Sequence, residues 1–258
     1  MPSEAPQGRG TRPAGVPTPA DVFAGFELVD LTLPIYDDAP IWSAEPRCIV
    51  HDWFKRGRNH GRLEPLNMKY YALAGHQGTH ADAPFHLNDS AAKLDRIPLR
   101  RYVGWARCLD FRDKRLGDHF TAADMESHGV KPRERILIYT GWDRYLSPFD
   151  ETYFNLDHPH FSEDGIYWLL DHKIELVGMD VPSVDPSLID HPKIFERGDN
   201  FPIVLELMTN LGAIVGKEVY LMCLPMNLRD GDGSWVRAVA MVPPGNGAAG
   251  GPSPGPSS

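Results

Sequence analysis

Residues 76–86 carry four side chains that can ligate a metal ion. The four are His76, His80, Asp82 and His86, all at even-numbered positions. In an extended chain, alternate side chains point to one face, whereas the helical step of about 100° would turn the last two away from the first two. Pro84 also disfavours a helix here. The pattern therefore predicts a divalent metal site on non-helical backbone.

The spacing requires a bend between His76 and His80. Residues four apart in a straight strand are separated by roughly 13 Å, which one ion with metal–nitrogen bonds of about 2.1 Å cannot span. Gly75 and Gly78 allow the bend, because glycine adopts positive φ angles at little cost. The hydroxyl of Thr79 can fasten the bend and orient a ligand from outside the coordination shell.

Beyond the bend, the segment offers one more ligand and one free base. Asp82 follows His80 by two residues and can join the same ion. Pro84 introduces an elbow, so His86 is expected beside the ion and not on it. A neutral imidazole in that position can move protons. His86 is therefore a candidate for proton transfer beside the ion.

Composition limits the class of protein. The chain has 258 residues, of which 42% are hydrophobic, and a formal net charge of −9. This length suits one large domain or two small ones, and the charge gives no electrostatic basis for binding nucleic acid or an anionic membrane. Neither a membrane-spanning run nor a signal peptide is recognisable. Cys48, Cys108 and Cys223 lie beside apolar residues, which predicts buried reduced thiols in a cytoplasmic protein.

The chain is organised as one domain between two tails. Residues 1–21 and 243–258 are rich in proline and glycine, which predicts disorder. Strand-like runs recur through residues 22–242, whereas one helix is predicted over 162–172, with Ser162 as its N-cap. Many strands and few helices favour a single α/β domain with a mixed β-sheet core. The chain lacks a glycine-rich nucleotide motif, so no nucleotide cofactor is expected.

Further metal ligands must come from more distant parts of the chain. Glu206 lies within the apolar run 201–207, where it is either exposed on one strand face or bound to a cation, because burying an unpaired charge is costly. His191 is a second candidate. Asp180 and Asp185 follow a predicted strand, and we interpret both as turn or capping residues.

Residues 76–86, which read HQGTHADAPFH, closely resemble a family signature. The signature, His-x-Gly-Thr-His-x-Asp-x-Pro-x-His, belongs to the cyclase family of metal-dependent hydrolases, which includes bacterial kynurenine formamidase, isatin hydrolase and a zinc-dependent dienelactone hydrolase. The resemblance covers most of residues 26–242. It also includes a later His and Glu and the motifs Asp30-Leu31-Thr32, Thr140-Gly141-Trp142, Gly178-Met179-Asp180 and Gly231-Asp232-Gly233-Ser234-x-Val236-Arg237.

The resemblance implies a fold, an assembly and a ligand set. The fold would be a swivelling β/β/α domain, as a homodimer or homotetramer with exchanged arms near the active sites. The divalent metal, Zn or Mn, would number one or two ions per chain. Asp82 would bridge the two ions, and His86 would be the acid/base. The implied ligands are His76, His80 and Asp82 for the first ion, and Asp82, His191 and Glu206 for the second.

The substrate is expected to be a small molecule. Trp42, Phe54, Trp142 and Trp235 are candidate walls for a planar aromatic ligand or else core residues. Arg237 can meet a substrate carboxylate or pair with a surface acid. We expect hydrolysis of the C–N amide bond in a small aromatic formamide or cyclic amide. The alternatives are lactone hydrolysis, a non-hydrolytic cyclase or dehydratase, and a metal-binding protein without catalysis.

Two features depart from the family pattern. The segment from His191 to Glu206 is longer than expected for the formamidases, which predicts a modified pocket wall. Trp235 stands where many relatives have proline. Both departures concern the substrate more than the chemistry.

Overall fold

The computed structural model describes residues 24–57, 65–146, 149–186 and 189–245. The predicted tails lie outside these ranges, except for residues 243–245. No helix in the described ranges is long and apolar enough to cross a membrane. The helices are α1 (Ala122–Ser127) and α2 (Glu163–Asp171), and the strands are β1 (Glu27–Asp30), β2 (Ile49–Phe54), β3 (Met68–Ala72), β4 (His80–Asp82), β5 (Val103–Asp110), β6 (His119–Phe120), β7 (Arg135–Tyr139), β8 (His160–Phe161), β9 (Leu176–Met179), β10 (Ile203–Glu206), β11 (Glu218–Met222), β12 (Gly233–Trp235) and β13 (Val239–Val242).

Nine of these strands form one mixed sheet. Their order is β1-β13-β11-β5-β7-β9-β10-β4-β12. The central strands β5, β7, β9 and β10 are parallel to their neighbours in that group, and the flanking pairs are antiparallel. Strands β9 and β10 are buried along their whole length, as expected for parallel strands covered on both faces. The sheet confirms the predicted α/β class with a mixed β-sheet core.

The sheet is curled. Strands β12 and β13 are separated by only residues 236–238, yet six other strands lie between them in the sheet order. In a flat sheet they would stand roughly 34 Å apart, whereas the linker reaches at most about 14 Å. Through residues 236–238 the chain therefore passes from the edge strand β12 to β13, the second strand from the opposite edge of the curled sheet.

Helix α2 forms where the sequence places it. The Ser162 side chain accepts a hydrogen bond from the backbone N–H of Gly165, which is the predicted N-cap contact. Glu163 and Asp164 occupy the first turn, where the helix dipole favours negative charge. Its apolar face is buried, and the helix packs against α1 and against the 3-10 helix His191–Phe195.

The three cysteines are buried and free, as predicted. Burial raises the pKa of the Cys108 and Cys223 thiols well above the ordinary value, so both stay protonated. Neither is therefore a nucleophile.

Asp180 ties β9 to the turn that follows β7. Its carboxylate is fully buried and accepts hydrogen bonds from the Thr140 backbone N–H at 3.0 Å, the Thr140 hydroxyl at 2.8 Å and the Trp142 N–H at 3.1 Å. This is the capping role interpreted from the sequence. Trp142 is thereby held in the core, where its indole N–H donates to the Tyr153 carbonyl.

The Asp180→Ala substitution is expected to destabilise the fold. It leaves the buried Thr140 N–H without an acceptor, whereas the Trp142 N–H keeps the Thr140 hydroxyl as a partner. The loss costs about 1–3 kcal/mol of unfolding free energy. Urea denaturation followed by tryptophan fluorescence measures the loss. Asp89→Ala, at an exposed position, is the control and should change stability by less than about 0.5 kcal/mol. Equal midpoints for the two variants would contradict the role of Asp180.

Candidate metal centre and its cavity

Strand β4 places two ligand groups on one face. It lies between β10 and β12, and its register sets His80 opposite Glu206. His80 and Asp82 alternate along this buried strand and therefore share a face. The His80 Nε2 atom lies 3.2 Å from Asp82 Oδ1 and 3.5 Å from Glu206 Oε2. Pairing with β10 thus brings together ligands that are more than a hundred residues apart in sequence.

A bend before β4 returns His76 to the same site. Gly78 has a φ of 67°, which supplies the predicted change of direction. His76 Nδ1 then lies 2.9 Å from Asp82 Oδ1. Gly233 makes room for the imidazole, because a Cβ at that position would come within 2.4 Å of the His76 ring.

Thr79 fastens this bend to the backbone on either side. Its hydroxyl donates to the Leu207 carbonyl at 2.6 Å and accepts from the Leu33 N–H at 2.8 Å. The predicted fastening role is therefore visible, but the hydroxyl contacts the backbone next to Glu206 and not a ligand side chain.

The remaining ligand groups complete two sets of three. His191 begins a 3-10 helix, and its Nε2 lies 3.4 Å from Asp82 Oδ2 and 4.0 Å from Glu206 Oε1. In each set, the donor atoms lie within 4.8 Å of one another. These two sets share Asp82 and are His76, His80, Asp82 and Asp82, His191, Glu206. A third and more exposed set of three, His76, His86 and Asp232, meets the same distance criterion but does not include Asp82.

Backbone contacts orient these ligands. The His80 Nδ1–H donates to the Gly78 carbonyl at 2.9 Å, which turns Nε2 toward the carboxylates. Glu206 Oε1 accepts from the Val184 N–H at 2.9 Å. His191 Nδ1 lies 3.4 Å from the Ser183 hydroxyl.

Three buried atoms of the site have no hydrogen-bond partner within the described structure. They are His80 Nε2, Asp82 Oδ2 and His191 Nε2. Buried polar atoms are normally paired, and here the unpaired ones face one another across the site. Two imidazole nitrogens and a carboxylate oxygen in this arrangement fit a divalent cation.

The carboxylates of the site shift the pKa values of its histidines. Burial lowers the pKa of His76, but hydrogen bonds to Asp232 and Asp82 outweigh it and raise the pKa to about 9. For His80, burial is likewise outweighed by Asp82 and Glu206, which raise its pKa to about 10. Without a cation, protons on these imidazoles offset the buried carboxylates. A bound ion would replace those protons.

His86 stands beside the ligands in a separate turn. The backbone forms a 3-10 helix over Pro84–His86, with proline at its start, where proline is tolerated. The prediction of non-helical backbone is therefore wrong for the last three residues of the signature. The His86 ring stacks on His76 with ring centroids 3.9 Å apart. Burial lowers its pKa, so the imidazole is neutral near neutral pH.

Two acidic residues at the site have no assigned role in the sequence analysis. Asp232 Oδ2 lies 3.0 Å from His76 Nε2 and 3.8 Å from His86 Nδ1. The hydrogen bond with His76 lowers the pKa of Asp232 to about 2. Its only sequence signal is its position in the closing glycine-rich motif. Glu45 lines the cavity over the ligands, where burial raises the pKa of its carboxyl, and no sequence pattern marks it.

The cavity over the ligands has a volume of about 330 Å³. Trp42 and Phe154 meet edge to face in its wall, with ring centroids 6.2 Å apart. Among the described lining residues there is neither lysine nor arginine. The carboxyl groups in the lining are those of Glu45 and Glu206. This size and lining suit a small planar molecule.

Of the predicted substrate residues, the structure brings only Trp42 to the cavity. Trp142 is 2% exposed and packs in the core. The Trp235 indole N–H donates to the carbonyl of Ala74 at 2.7 Å. Ala74 lines the cavity and Trp235 does not, so Trp235 supports the cavity wall indirectly. Arg237 pairs with Asp30 at the surface, because strands β1 and β13 lie side by side. Of its two predicted roles, this is the pairing with a surface acid and not the contact with a substrate carboxylate. Phe54 on β2 is not part of the lining.

The segment between His191 and Glu206 also lies elsewhere than expected. Both end residues line the cavity, but the residues between them do not. Phe201 and its neighbours Asp199 and Asn200 line a different cleft instead. The predicted modification of the pocket wall by this segment is therefore wrong.

Comparisons with known proteins agree with this geometry. The model of the Cyclase family matches residues 29–186. The kynurenine formamidase of Bacillus mycoides (strain KBAB4) is 30% identical over 218 residues, which cover 83% of this chain and 96% of that protein. An isatin hydrolase bound to the product analogue thioisatinate superimposes with a TM-score of 0.75 at 23% identity, covering 87% of this chain and 95% of that one. A potential metal-dependent hydrolase with cyclase activity gives a TM-score of 0.69 at 21% identity, covering 84% and 98%.

We expect His80→Ala to lose bound metal, because His80 supplies a donor atom at the centre of the cluster. Metal content is measured by plasma mass spectrometry on protein purified without chelator. The loss should be roughly tenfold or more, with the far-UV circular dichroism unchanged. His119→Ala, at an exposed histidine outside the cluster, is the control and should keep the wild-type content. Wild-type metal content in His80→Ala would contradict the assignment.

Proposed function

The chain belongs to the Cyclase family, and from this premise we propose that it is a metal-dependent hydrolase of a small aromatic formamide or cyclic amide. The reaction cleaves a C–N bond that is not a peptide bond. The observation that carries the proposal is the shared Asp82, around which two imidazole-carboxylate sets converge beneath an aromatic cavity. A kynurenine formamidase and an isatin hydrolase among its relatives support the substrate class.

We propose Zn²⁺ or Mn²⁺ as the resident ion. The donor set mixes imidazole nitrogen with carboxylate oxygen, which suits both metals. The sharing of Asp82 by two ligand sets supports two ions per chain. His76 and His80 would hold the first ion, and His191 and Glu206 the second.

The chemistry that such an ion supplies is Lewis acidity, which polarises a carbonyl oxygen and lowers the pKa of water. The chain itself must then move a proton and orient the substrate. His86 is neutral near neutral pH, lines the cavity and is held by stacking on His76. It can therefore accept a proton from water at the reacting carbonyl and return it to the leaving nitrogen. Asp232, beside His76 and His86, positions both rings.

The cavity lining supports an amide without a carboxylate group. The planar faces of Trp42 and Phe154 can hold an aromatic ring. The Glu45 carboxylate can accept a hydrogen bond from a substrate N–H, which favours an amide over an ester. Lactone hydrolysis is the alternative with the same ion and acid/base. A non-hydrolytic cyclase or dehydratase differs in mass balance, because hydrolysis consumes one water.

We also propose that the chain forms a homodimer or homotetramer. The two-stranded sheet of β2 and β3 pairs with none of the nine main strands. On it, Trp53, Tyr70 and Tyr71 are each about half exposed, and the rings of His51, Trp53 and Tyr70 lie together. An apolar aromatic surface of this kind supports burial against a second copy. The buried reduced thiols support a cytoplasmic location.

The His86→Ala substitution should separate metal binding from turnover. The variant keeps its metal content, because the five ligand groups remain, but kcat falls by about 10²–10⁴. Initial rates are measured with N-formylkynurenine, N-formylaniline, isatin and a dienelactone, with product mass to confirm addition of water. Among these, the uncharged amides should react fastest.

His172→Ala is the matched control for this substitution, because His172 stacks on Trp168 away from the cavity. Its rates should stay within about twofold of wild type once stability is matched. Failure of the wild-type protein to hydrolyse any of the amides would contradict the proposed function. Full activity in His86→Ala would contradict the role of His86 alone.

The double substitution Trp53→Ser/Tyr70→Ser should shift the oligomer toward monomer. It removes the two rings that contact each other on the exposed face of β2 and β3, so the apolar area available for burial falls. Sedimentation velocity at several protein concentrations measures the change. Leu116→Ser/Leu156→Ser removes exposed apolar side chains elsewhere and should leave assembly unchanged. A wild-type protein that stays monomeric throughout would contradict the proposal.

A further inference from the structure

A second cleft, separate from the metal centre, collects positive charge. It has a volume of about 800 Å³ and shares no lining residue with the cavity over the ligands. Six basic side chains line it, although the chain as a whole carries a net charge of −9. Glu175 and Asp199 are the acidic residues of its described lining. The basic residues are Arg96, Arg100, Arg101, Arg133, Arg135 and Lys173.

The basic groups come from three separate parts of the chain. Arg96, Arg100 and Arg101 precede β5. Arg133 lies just before β7 and Arg135 begins it, and Lys173 lies in the turn between α2 and β9. A run of basic residues within one exposed segment would be an ordinary solvated surface. Here the fold brings them to a single concavity, which is the arrangement of a ligand site.

Two of the guanidinium groups are held in place. A Cβ at Gly104 would lie 2.6 Å from Arg135 Nη1, so glycine in β5 makes room for this side chain. Arg135 pairs with Glu175 at 2.5 Å, and its Nε is buried without a hydrogen-bond partner in the described structure. Arg101 stacks on the Phe201 ring at 4.2 Å and donates to the Phe201 carbonyl. Such fixed, planar donors need little ordering to bind an anion.

Three of the other four basic side chains in the cleft have no carboxylate partner in the part of the chain that the structure describes, whereas Arg96 lies 3.7 Å from Asp95. Within the described residues, Arg100, Arg133 and Lys173 form no ion pair with a carboxylate. Arg133 and Lys173 also have φ angles of 67° and 53°, a left-handed conformation that favours glycine. Burial, together with the neighbouring Arg135 and Arg100, lowers the pKa of Arg101. The like charges therefore repel one another, and an anion between them would relieve that repulsion.

We propose that this cleft binds a small organic polyanion that carries two or more phosphate or carboxylate groups. The arginine fork matches both groups with paired hydrogen bonds. The volume suits a small molecule, and Ile97, Pro98 and Phe201 offer an apolar side for its carbon skeleton. The anion is not the proposed substrate, because the catalytic cavity lacks lysine and arginine among its described lining.

Isothermal titration calorimetry on the metal-loaded full chain tests the proposal directly. The probes are fructose 1,6-bisphosphate for phosphate and tricarballylate for carboxylate, both chosen because they chelate divalent metals weakly, with sucrose as the uncharged control. We expect at least one anion to bind with a stoichiometry of about one per chain, and to bind more weakly as salt is raised. The probe that binds more tightly identifies which of the two groups the cleft prefers.

The matched variants are Arg100→Gln/Arg133→Gln in the cleft and Arg112→Gln/Arg115→Gln outside it. All four positions are exposed, and each double variant removes two positive charges. The cleft variant should weaken anion binding at least tenfold, and the outside variant less than twofold. Absence of binding to wild type at millimolar anion, or equal weakening in both variants, would overturn the proposal. Because the readout is binding, these outcomes do not depend on the hydrolase activity.

Discussion

The buried carboxylate of Asp82 is the constraint around which this structure is arranged. It is 1% exposed and lies within 3.4 Å of imidazole nitrogens from His76, His80 and His191. An ionised carboxylate at such depth is tolerated only when positive charge surrounds it. In the chain alone that charge is carried by protons, since nearby carboxylates raise the pKa of His76 to about 9 and that of His80 to about 10. A divalent cation bound to the lone pairs of those nitrogens would supply the positive charge in place of the protons.

The curled sheet supplies what Asp82 needs. Strand β4 is short, but it lies between β10 and β12, which fix Glu206 and Gly233 against it. Gly233 leaves space for His76, and the Thr79 hydroxyl links the bend to Leu207. Because only residues 236–238 separate β12 from β13, the curl of the sheet is what allows β12 to pair with β4 at the site. In a flat sheet, residues 236–238 would be too short to link β12 to β13.

The sequence predicts the parts of this site that are local. The geometry of residues 76–86 follows from the segment itself, because alternation along a strand places His80 and Asp82 on one face and Gly78 supplies the bend. The α/β class and helix α2 are likewise local signals. His191 and Glu206 are ambiguous from their neighbours alone, since their pairing with Asp82 depends on strand order. The roles of Trp142 and Arg237 depend on which residues pack beside them in the fold, and composition and spacing do not identify those residues.

One rule accounts for both sites, and it explains why the net charge of the chain does not describe either. In the metal centre, carboxylates outnumber the fixed cations, so the site requires a cation. In the cleft beside β7, arginine and lysine outnumber Glu175 and Asp199, which favours the binding of an anion. The net charge of −9 is a sum over the whole chain and contains no information on how positive and negative charges are distributed. In both sites the fold gathers an excess of one sign of charge into a concavity, where a ligand of the opposite sign lowers the repulsion between like charges.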